Sequence, residues 1–215
     1  INRLRHVMGY SGQENTICTA LVFAGWNAGV GALRGGDPYE MAKSDLLIIW
    51  GTNAAATQVN IMHHVAAARK ERGARLVVVD PYRNATAQVA DQHLCVRPGT
   101  DGALACAMMQ VLFAEGYADR GYMARYTDAP DDLEVHLASR TPEWAAAITG
   151  LDADVIREFA RAYGRTERAF IRVGYGMSRQ RNGASAVHAV SCLPAVTGKW
   201  PNEGAGAFFS NSDVY

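Results

Sequence analysis

Three short apolar runs stand out in the middle of the chain, at Asp45–Trp50, Arg75–Val79 and His93–Val96. Their hydrophobic residues are consecutive rather than alternating with polar ones, which is typical of strands buried on both faces of a parallel sheet. Between the first two runs the sequence predicts a helix from about Thr57 to Arg72, with Gly73 as its C-terminal cap. Together these elements predict a βαβ unit with a right-handed crossover.

The sequence on either side of this unit is predicted to be mainly helical. Residues 1–44 have the pattern of two helices separated by a glycine-rich bend from Gly25 to Gly36. Thr100 is placed to cap a helix from Asp101 to about Glu115, where a carboxylate in the first turn suits the helix dipole. Further helices are predicted over Asp119–Tyr126, Pro130–Ser139, Pro142–Ile148 and Asp152–Tyr163, the last capped by Asp152.

The last part of the chain returns to a strand. Glu167–Val173 has a largely apolar strand pattern, Gly174–Gly183 is a polar glycine-rich loop, and Gly183–Val196 has the pattern of a helix. No element is assigned beyond Gly206. We therefore expect an α/β fold class, with a parallel sheet flanked by helices and Rossmann-like dinucleotide-binding halves.

Both ends of the sequence look cut, so residues 1–215 are expected to be the central region of a longer protein. Four parts are predicted within it: a helical first segment (1–44), a βαβ nucleotide-binding part (45–116), a helical part (117–166), and a final part with a strand, a glycine loop and a helix (167–215).

Composition and charge narrow the possible partners. The 215 residues are 49% hydrophobic and 20% charged, as in a soluble globular protein, and 21 basic residues balance 21 acidic ones. A formal net charge of zero argues against nucleic acid or an anionic membrane surface as the main partner. No apolar run approaches the roughly 20 residues that a membrane span needs. We expect a cytoplasmic protein, or a periplasmic one if a leader sequence precedes Ile1.

The residues that follow the apolar runs carry the candidate chemistry. The first run ends at Gly51-Thr-Asn53, the second at Asp80-Pro-Tyr-Arg83, and the third at Arg97-Pro-Gly99-Thr100-Asp101. Because such turns gather at one edge of a parallel sheet, they predict a nucleotide-binding crevice there. The G-x-G-x-x-G fingerprint is absent from the first turn, so a standard dinucleotide motif is not indicated.

Each turn residue has one functional interpretation and one structural alternative. Gly51 permits close backbone approach of an anion, and Asn53 could donate to a ligand or simply cap a helix. Asp80 could accept hydrogen bonds from a ribose, and Arg83 could face a phosphate or a surface carboxylate. Asp101 could accept from N1–H and N2 of guanine, or be an ordinary first-turn acid.

The cysteines and histidines do not form a recognisable metal motif. The sequence has four cysteines, Cys18, Cys95, Cys106 and Cys192, and no C-x-x-C pair, which excludes zinc-ribbon and thioredoxin motifs. Cys95 and Cys106 are expected to be buried, inert thiols. The adjacent His63 and His64 would point about 100° apart on a helix, which makes them a poor chelating pair.

The order of these motifs resembles the molybdopterin oxidoreductase family, the dimethyl-sulfoxide-reductase superfamily that includes formate dehydrogenases and periplasmic nitrate reductases. The resemblance covers roughly residues 1–207, and no single motif decides it. The matching stretches are Ser44–Asn53, Gly73–Arg83, Ala90–Leu104, Gly150–Ala160, Leu193–Gly198 and Gly204–Gly206.

The resemblance implies a bis(molybdopterin guanine dinucleotide) cofactor that carries molybdenum or tungsten. The implied cofactor contacts are Trp50, Gly51, Asn53, Asp80, Arg83, Gly99, Thr100 and Asp101, with Gln180 as the polar contact from the Gly174–Gly183 loop. Cys18 is the implied metal ligand and catalytic residue, with a buried helix cysteine as the structural alternative and Ser11 as a weaker candidate ligand.

The resemblance further implies a fragment of an enzyme for two-electron redox or oxygen-atom transfer on a small substrate such as formate, nitrate or an S- or N-oxide. A 4Fe–4S cluster is expected in a preceding segment, with an iron–sulfur or other electron-transfer subunit as a possible partner. The fragment alone is expected to be inactive. The alternatives are a non-catalytic scaffold resembling the large iron–sulfur subunit of respiratory complex I, and a generic NAD-binding domain, which the missing glycine fingerprint disfavours.

Overall fold

The computed structural model of the protein describes residues 2–12 and 17–210. Within them, five strands form one parallel sheet in the spatial order β3-β2-β1-β4-β5. The predicted α/β class with a parallel sheet flanked by helices is confirmed. The strands are β1 (Leu46–Trp50), β2 (Arg75–Val79), β3 (Gln92–Leu94), β4 (Ala169–Val173) and β5 (Gly206–Phe208).

Eleven α-helices and two short 3₁₀ helices accompany this sheet in the described residues. The 3₁₀ helices are Pro38–Lys43 and Tyr175–Arg179. The α-helices are α1 (Asn2–Met8), α2 (Ile17–Val30), α3 (Ala54–Thr57), α4 (Val59–Arg72), α5 (Ala85–Gln88), α6 (Asp101–Ala114), α7 (Arg120–Tyr126), α8 (Pro130–Leu137), α9 (Pro142–Thr149), α10 (Ala153–Arg165) and α11 (Gly183–Val196). Over the described residues, no helix combines the length and the apolar composition that a bilayer crossing requires.

Strand β1 lies at the centre of the sheet and is buried along its whole length. Its side chains alternate between two apolar layers, with Ile48 and Trp50 in the layer of α2, α6, α10 and α11, and Leu47 and Ile49 in the layer of α4. Burying one such aliphatic side chain contributes roughly 1.5–3 kcal/mol. The continuous apolar run in the sequence is therefore the consequence of helices on both faces.

Two predicted helix ends are confirmed by their capping geometry. Gly73 follows α4 in the left-handed conformation, with φ of 67°. The carboxylate of Asp152 accepts a hydrogen bond from the backbone N–H of Asp154 at the start of α10. The predicted cap at Thr100 is wrong in detail, because its hydroxyl donates to the carbonyl of Arg97 (2.7 Å) rather than accepting from the helix.

The predicted glycine-rich bend from Gly25 to Gly36 is wrong in its first half. Helix α2 continues to Val30, and the chain turns at Gly31, where φ is 86°. Gly25 lies inside α2 because α11 passes so close that a Cβ atom there would be 2.1 Å from the carbonyl oxygen of Ala184. Glycine here permits helix contact rather than a bend.

Five short elements were not predicted. They are the 3₁₀ helices Pro38–Lys43 and Tyr175–Arg179, helices α3 and α5, and strand β5, and each spans six residues or fewer. A segment of this length has no clear hydrophobic period, so its structure depends on what it packs against. Strand β5 exists because its backbone pairs with β4, with Gly206 opposite Phe170.

The contact between α2 and α11 can be tested with Gly25→Ala. Because the added Cβ would meet helix backbone, the two helices must move apart, and we expect a loss of about 1–3 kcal/mol in the free energy of unfolding. Chemical unfolding of the purified protein measures this loss.

Gly121→Ala, in helix α7, is the control. Its Cβ would lie 3.5 Å from the nearest atom, a carboxylate oxygen of Asp119, which is an ordinary contact, and alanine has a higher helix propensity by about 1 kcal/mol. The two variants should therefore differ clearly, and an equal loss in both would contradict the packing argument.

Candidate functional site

The carboxyl edge of the sheet is the place where the predicted site residues should meet. Strands β1 and β4 are neighbours whose connections leave in opposite directions along the sheet, which opens a crevice beyond their carboxyl ends. Backbone hydrogen bonds join the strand tips at this point. Gly51 N–H donates to the carbonyl of Val79 (2.9 Å), and Gly176 N–H donates to the carbonyl of Gly51 (2.8 Å).

Glycines allow the tips of β1 and β4 to approach this closely. Gly51 has φ of 68°, a conformation that side chains disfavour. A Cβ atom at Gly174 would lie 2.5 Å from the Gly51 carbonyl oxygen, and one at Gly176 would lie 2.6 Å from it. Glycine at these positions is therefore what lets the segments after β1 and β4 pack against each other.

Asp101 begins α6 at this edge and is held by Trp50. The indole Nε1–H of Trp50 donates to a carboxylate oxygen of Asp101 at 2.8 Å, and both side chains are buried, Asp101 with 7% exposure. Burial raises the pKa of Asp101, while the hydrogen bond from Trp50 acts in the opposite direction. Trp50 faces the core, so its part at the edge is to position Asp101.

Asn53 is connected to the turn after β2 through Thr86. The Thr86 hydroxyl donates to the Asn53 side-chain oxygen (3.0 Å) and accepts from the Ala55 N–H (3.0 Å). Asn84 caps α5 by accepting from the N–H groups of Thr86 and Ala87. Thr86 thereby fixes the orientation of the Asn53 side chain, and with it the direction of its amide N–H groups.

Thr86 is a site residue that the sequence analysis missed. It is fully buried and belongs to α5, a helix of four residues. The one feature of the sequence that pointed to it was Asn84, two positions earlier. Asparagine is a common N-cap residue, so Asn84 indicates that a helix begins directly after Asp80-Pro-Tyr-Arg83. The pairing with Asn53, 33 positions away in sequence, could be seen only in the fold.

Asp80 and Arg83 lie beyond β2, next to this network. A carboxylate oxygen of Asp80 accepts from the N–H of Tyr82 (2.9 Å), and its carbonyl accepts from His93 Nε2 (2.8 Å). Burial raises the pKa of Asp80, against the effect of the Tyr82 hydrogen bond. Arg83 is exposed and has no ion pair with any described residue.

The turn after β3 meets the loop after β4. The Asn182 side-chain N–H donates to the carbonyl of Gly99 (2.8 Å). Gly99 has φ of 81°, and a Cβ atom there would be 3.2 Å from Cγ of Gln180. The structure therefore brings Gly99, Thr100 and Gln180 to one side of the crevice, although they are some 80 positions apart in the chain.

Cys18 lies at the start of α2, which packs on the 3₁₀ helix Tyr175–Arg179 at this edge. The thiol is half-buried and forms no disulfide. Burial raises the pKa of Tyr175, and the nearby Cys18 adds to that shift. Within residues 2–12 and 17–210 there is no cluster of three or more side chains that could chelate a metal. Ser11 is exposed, and residues 13–16, between it and Cys18's helix, lie outside the described residues.

Three exposed arginines, Arg83, Arg179 and Arg181, follow β2 and β4 and have no carboxylate partner in the described part of the chain. Arginines away from this edge differ in their partners. Some pair with carboxylates, as in Arg69–Asp91, Arg72–Asp45, Arg120–Glu134, Arg157–Glu143 and Arg161–Glu115, whereas Arg75 bonds to Gln92, and Arg125 and Arg140 lie over aromatic rings. The three edge arginines add positive charge beside the carboxyl ends of the strands, which favours an anionic ligand there.

Comparison with known proteins gives one consistent result. The sequence profile of a family described as "Molybdopterin oxidoreductase" matches residues 4–212. A probable oxidoreductase of Bacillus subtilis (strain 168), YoaE, is 38% identical over 214 residues, which are 99% of this chain and 31% of that protein. A probable dimethyl sulfoxide reductase chain of Escherichia coli (strain K12), YnfF, is 32% identical over 213 residues, which cover 88% of this chain and 26% of that protein.

Solved structures give the same result for the fold. Acetylene hydratase from Pelobacter acetylenicus has a TM-score of 0.78 and 28% sequence identity, with coverage of 88% of this chain and 26% of that one. The chain thus spans less than a third of the length of the proteins that it matches.

Because Asp101 is buried, its contribution to the free energy of unfolding is predicted to depend on pH. Because the folded state raises the pKa of this carboxyl, it binds the proton more tightly than the unfolded chain does, so this group's contribution to stability falls as pH rises above about 4. The side-chain amide of asparagine does not ionise, so its contribution to stability does not change with pH in this way. We expect the free energy of unfolding of Asp101→Asn to increase relative to the wild type as pH rises through the folded-state pKa.

Denaturant unfolding across a pH series measures this difference. Asp132→Asn, at an exposed position of α8, is the control for the same substitution where the carboxylate is not buried. A flat difference for Asp101→Asn, or one that favours the wild type as pH rises, would refute the assignment.

The Thr86 bridge predicts a local effect at the first turn after β1. Thr86→Val keeps the shape of the side chain but removes the hydroxyl that bonds to Asn53 and Ala55. We therefore expect a loss of about 1–3 kcal/mol in the free energy of unfolding and faster hydrogen exchange at the Ala55 amide. Hydrogen exchange measured on a peptide spanning residues 51–58 tests this. Thr86→Ser keeps the hydroxyl and should retain most of the protection; if both variants exchange alike, the bridge does not hold Asn53.

Proposed function

Because the chain belongs to the molybdopterin oxidoreductase family, we propose that the carboxyl edge of its sheet holds the guanine dinucleotide part of a metal-carrying pterin. One observation carries this proposal: Asn53, Asp80 and Asp101 follow β1, β2 and the turn after β3, so the parallel sheet puts all three at its carboxyl edge, and Asp80 is near enough to Asp101 to add to the rise of its pKa. Membership of the family implies a molybdenum or tungsten pterin; the guanine dinucleotide form is the proposed part.

The residues at the edge fit such a group. The glycines at 174 and 176 let the segments after β1 and β4 approach each other closely, so a ligand bound at this edge would lie beside their backbone. A carboxylate has about four acceptor positions, and Trp50 uses one on Asp101, so capacity remains for N1–H and N2 of guanine.

Each remaining residue has a proposed binding role. Asp80 accepts hydrogen bonds from a ribose, and Arg83 pairs with a phosphate beside it. Asn53 donates its amide N–H groups, which Thr86 orients. Gly99, Thr100 and Gln180 close the far side of the crevice. Cys18 is the proposed protein ligand of the metal, for which its thiol must be deprotonated.

We propose for the whole protein a two-electron redox or oxygen-atom transfer reaction on a small substrate such as formate, nitrate or an S- or N-oxide. When bound, the metal-carrying pterin supplies the redox chemistry, while residues of this chain bind and orient it. Since one solved relative is named for hydrating acetylene, the redox reaction remains part of the proposal. The second guanine dinucleotide, a 4Fe–4S cluster and an electron-transfer subunit belong to the proposal as well, as does a cytoplasmic location.

The scaffold alternative, a relative of the large subunit of complex I that lacks the pterin, has less support. A chain without the cofactor would have no need of a buried acid at Asp101, since a buried carboxylate costs stability when nothing binds it. The similar proteins named above are described as oxidoreductases or as enzymes.

Cofactor analysis of the full-length protein tests the proposal. After production with molybdate or tungstate, we expect bound metal, a pterin, and release of GMP on acid hydrolysis. Cys18→Ala should keep pterin and GMP but lose one sulfur donor to the metal in X-ray absorption. Cys106→Ala, another half-buried helix cysteine, should leave all three unchanged. Absence of pterin and GMP from the wild type, or unchanged sulfur coordination in Cys18→Ala, would contradict it.

A further inference from the structure

A cavity lies between helices, away from the carboxyl edge of the sheet. The end of α2, helices α7 and α8 and the second half of α11 surround it, and its volume is about 350 Å³. Cavities of this size bind small organic ligands. None of the residues assigned above to the cofactor or to the metal lines it. Cys192, in its α11 wall, is separated from Gly183 at the crevice end of that helix by about 13 Å along the axis.

The floor of the cavity is apolar. Met123 of α7 and Val196 of α11 line it and belong to the buried core. Leu133 and Ala195, also in the lining, are half-buried, and Ala28 is exposed at the rim. A hydrocarbon group placed here would exchange water for an apolar surface, which favours its binding.

The rim of the cavity is acidic. Asp128, in the turn between α7 and α8, and Asp132, in the first turn of α8, are exposed lining residues. Neither carboxylate forms an ion pair with a residue that the structure describes. The lining contains no lysine or arginine, and its two histidines, His136 and His188, are of a type that is ordinarily uncharged at pH 8. Negative charge beside an apolar cavity attracts an organic cation.

Cys192 provides a chemical reporter for the cavity. Its thiol group lines the cavity, is half-buried and forms no disulfide. Burial raises the pKa of this thiol to about 11, and the nearby Cys106 and Asp128 add to that rise. The thiol should therefore react slowly with alkylating reagents, and a ligand that covers it should slow the reaction further.

We propose that this cavity binds a small organic cation that carries an ammonium group on a compact hydrocarbon body. The hydrocarbon packs on Met123, Leu133 and Val196, and the ammonium group lies beside Asp128 and Asp132. The two carboxylates disfavour an anion, and a neutral ligand would leave both of them unpaired. Because the cavity is separate from the crevice at the carboxyl edge, the inference does not depend on the proposed function.

The first test compares a charged probe with a neutral probe of the same shape. Cyclohexylmethylammonium and cyclohexylmethanol are titrated into the full-length protein at pH 8, and calorimetry gives Kd for each. We expect a Kd on the order of 0.1–1 mM for the ammonium probe, as for a ligand of so few atoms. The alcohol should bind several-fold more weakly, since it gains only the apolar contacts.

Substitution of the rim carboxylates tests the source of this preference. Asp128→Asn and Asp132→Asn should each weaken binding of the ammonium probe roughly two- to fivefold, as for one exposed ion pair. The double variant should bind the two probes about equally. Asp131→Asn is the matched control, because Asp131 is an exposed carboxylate of the same helix turn that does not line the cavity. Its affinity for the ammonium probe should be close to that of the wild type.

Alkylation of Cys192 tests the location of the bound probe. The full-length protein is treated with N-ethylmaleimide, and mass spectrometry follows the modification of each cysteine peptide over time. A saturating concentration of the ammonium probe should slow the alkylation of Cys192 several-fold. Cys95 is exposed and outside the cavity, so its rate should not change.

Other results overturn the inference. Equal affinity for the two probes in the wild type, or wild-type affinity for the ammonium probe in the double variant, refutes a cation site. Binding without protection of Cys192 places the probe elsewhere. Absence of binding together with an unreactive Cys192 shows that another part of the full-length protein covers the cavity, which also refutes the site. The pterin and GMP content of the protein is measured separately, so failure of the cation site and failure of the proposed function are distinguishable.

Discussion

The hydrogen bonds of one glycine hold the carboxyl edge of the sheet together. Gly51 donates to the tip of β2 and accepts from the segment after β4, so three strands end at a common level. These bonds require glycine on both sides, because a side chain at Gly174 or Gly176 would collide with the Gly51 carbonyl. Every other feature of the site depends on this arrangement. The turns that carry Asn53 and Asp80 converge only because the strands before them end together.

Electrostatics give that edge its chemical character. A buried carboxylate, Asp101, is kept by a hydrogen bond from a core tryptophan, while arginines beyond β2 and β4 remain without carboxylate partners in the described residues. Elsewhere on the surface, arginines such as Arg161 are bound to acids. The buried carboxylate is unfavourable for a chain that binds nothing, since burial penalises charge. The nucleotide-bearing pterin proposed above would supply hydrogen-bond donors to Asp101 and negative charge to the arginines.

Sequence analysis found the conspicuous parts of this site and missed the connecting ones. Gly51, Asp80 and Asp101 were identifiable because each follows a continuous apolar run, where the edge of a parallel sheet must lie. Thr86 could not be identified, since its importance comes from a hydrogen bond to a residue in another turn. Trp50 was expected to touch the ligand, yet its indole faces Asp101 and the core. The contacts of Cys18 with a metal and of the turn residues with a cofactor remain predictions.

The sequence by itself determined the elements whose signal is local. Continuous apolar runs define β1 and β2, a glycine in the left-handed conformation, Gly73, ends α4, and Asp152 caps the start of α10. These signals can be read from the sequence because hydrophobic periodicity, helix caps and turns depend on neighbours within a few residues. Only the tertiary structure decided the rest. Gly25 permits a helix contact instead of a bend because Ala184 lies against it, and β5 is a strand because β4 offers it hydrogen-bond partners. Such roles depend on residues that are distant in sequence, and a pattern along one chain does not encode which of them will meet.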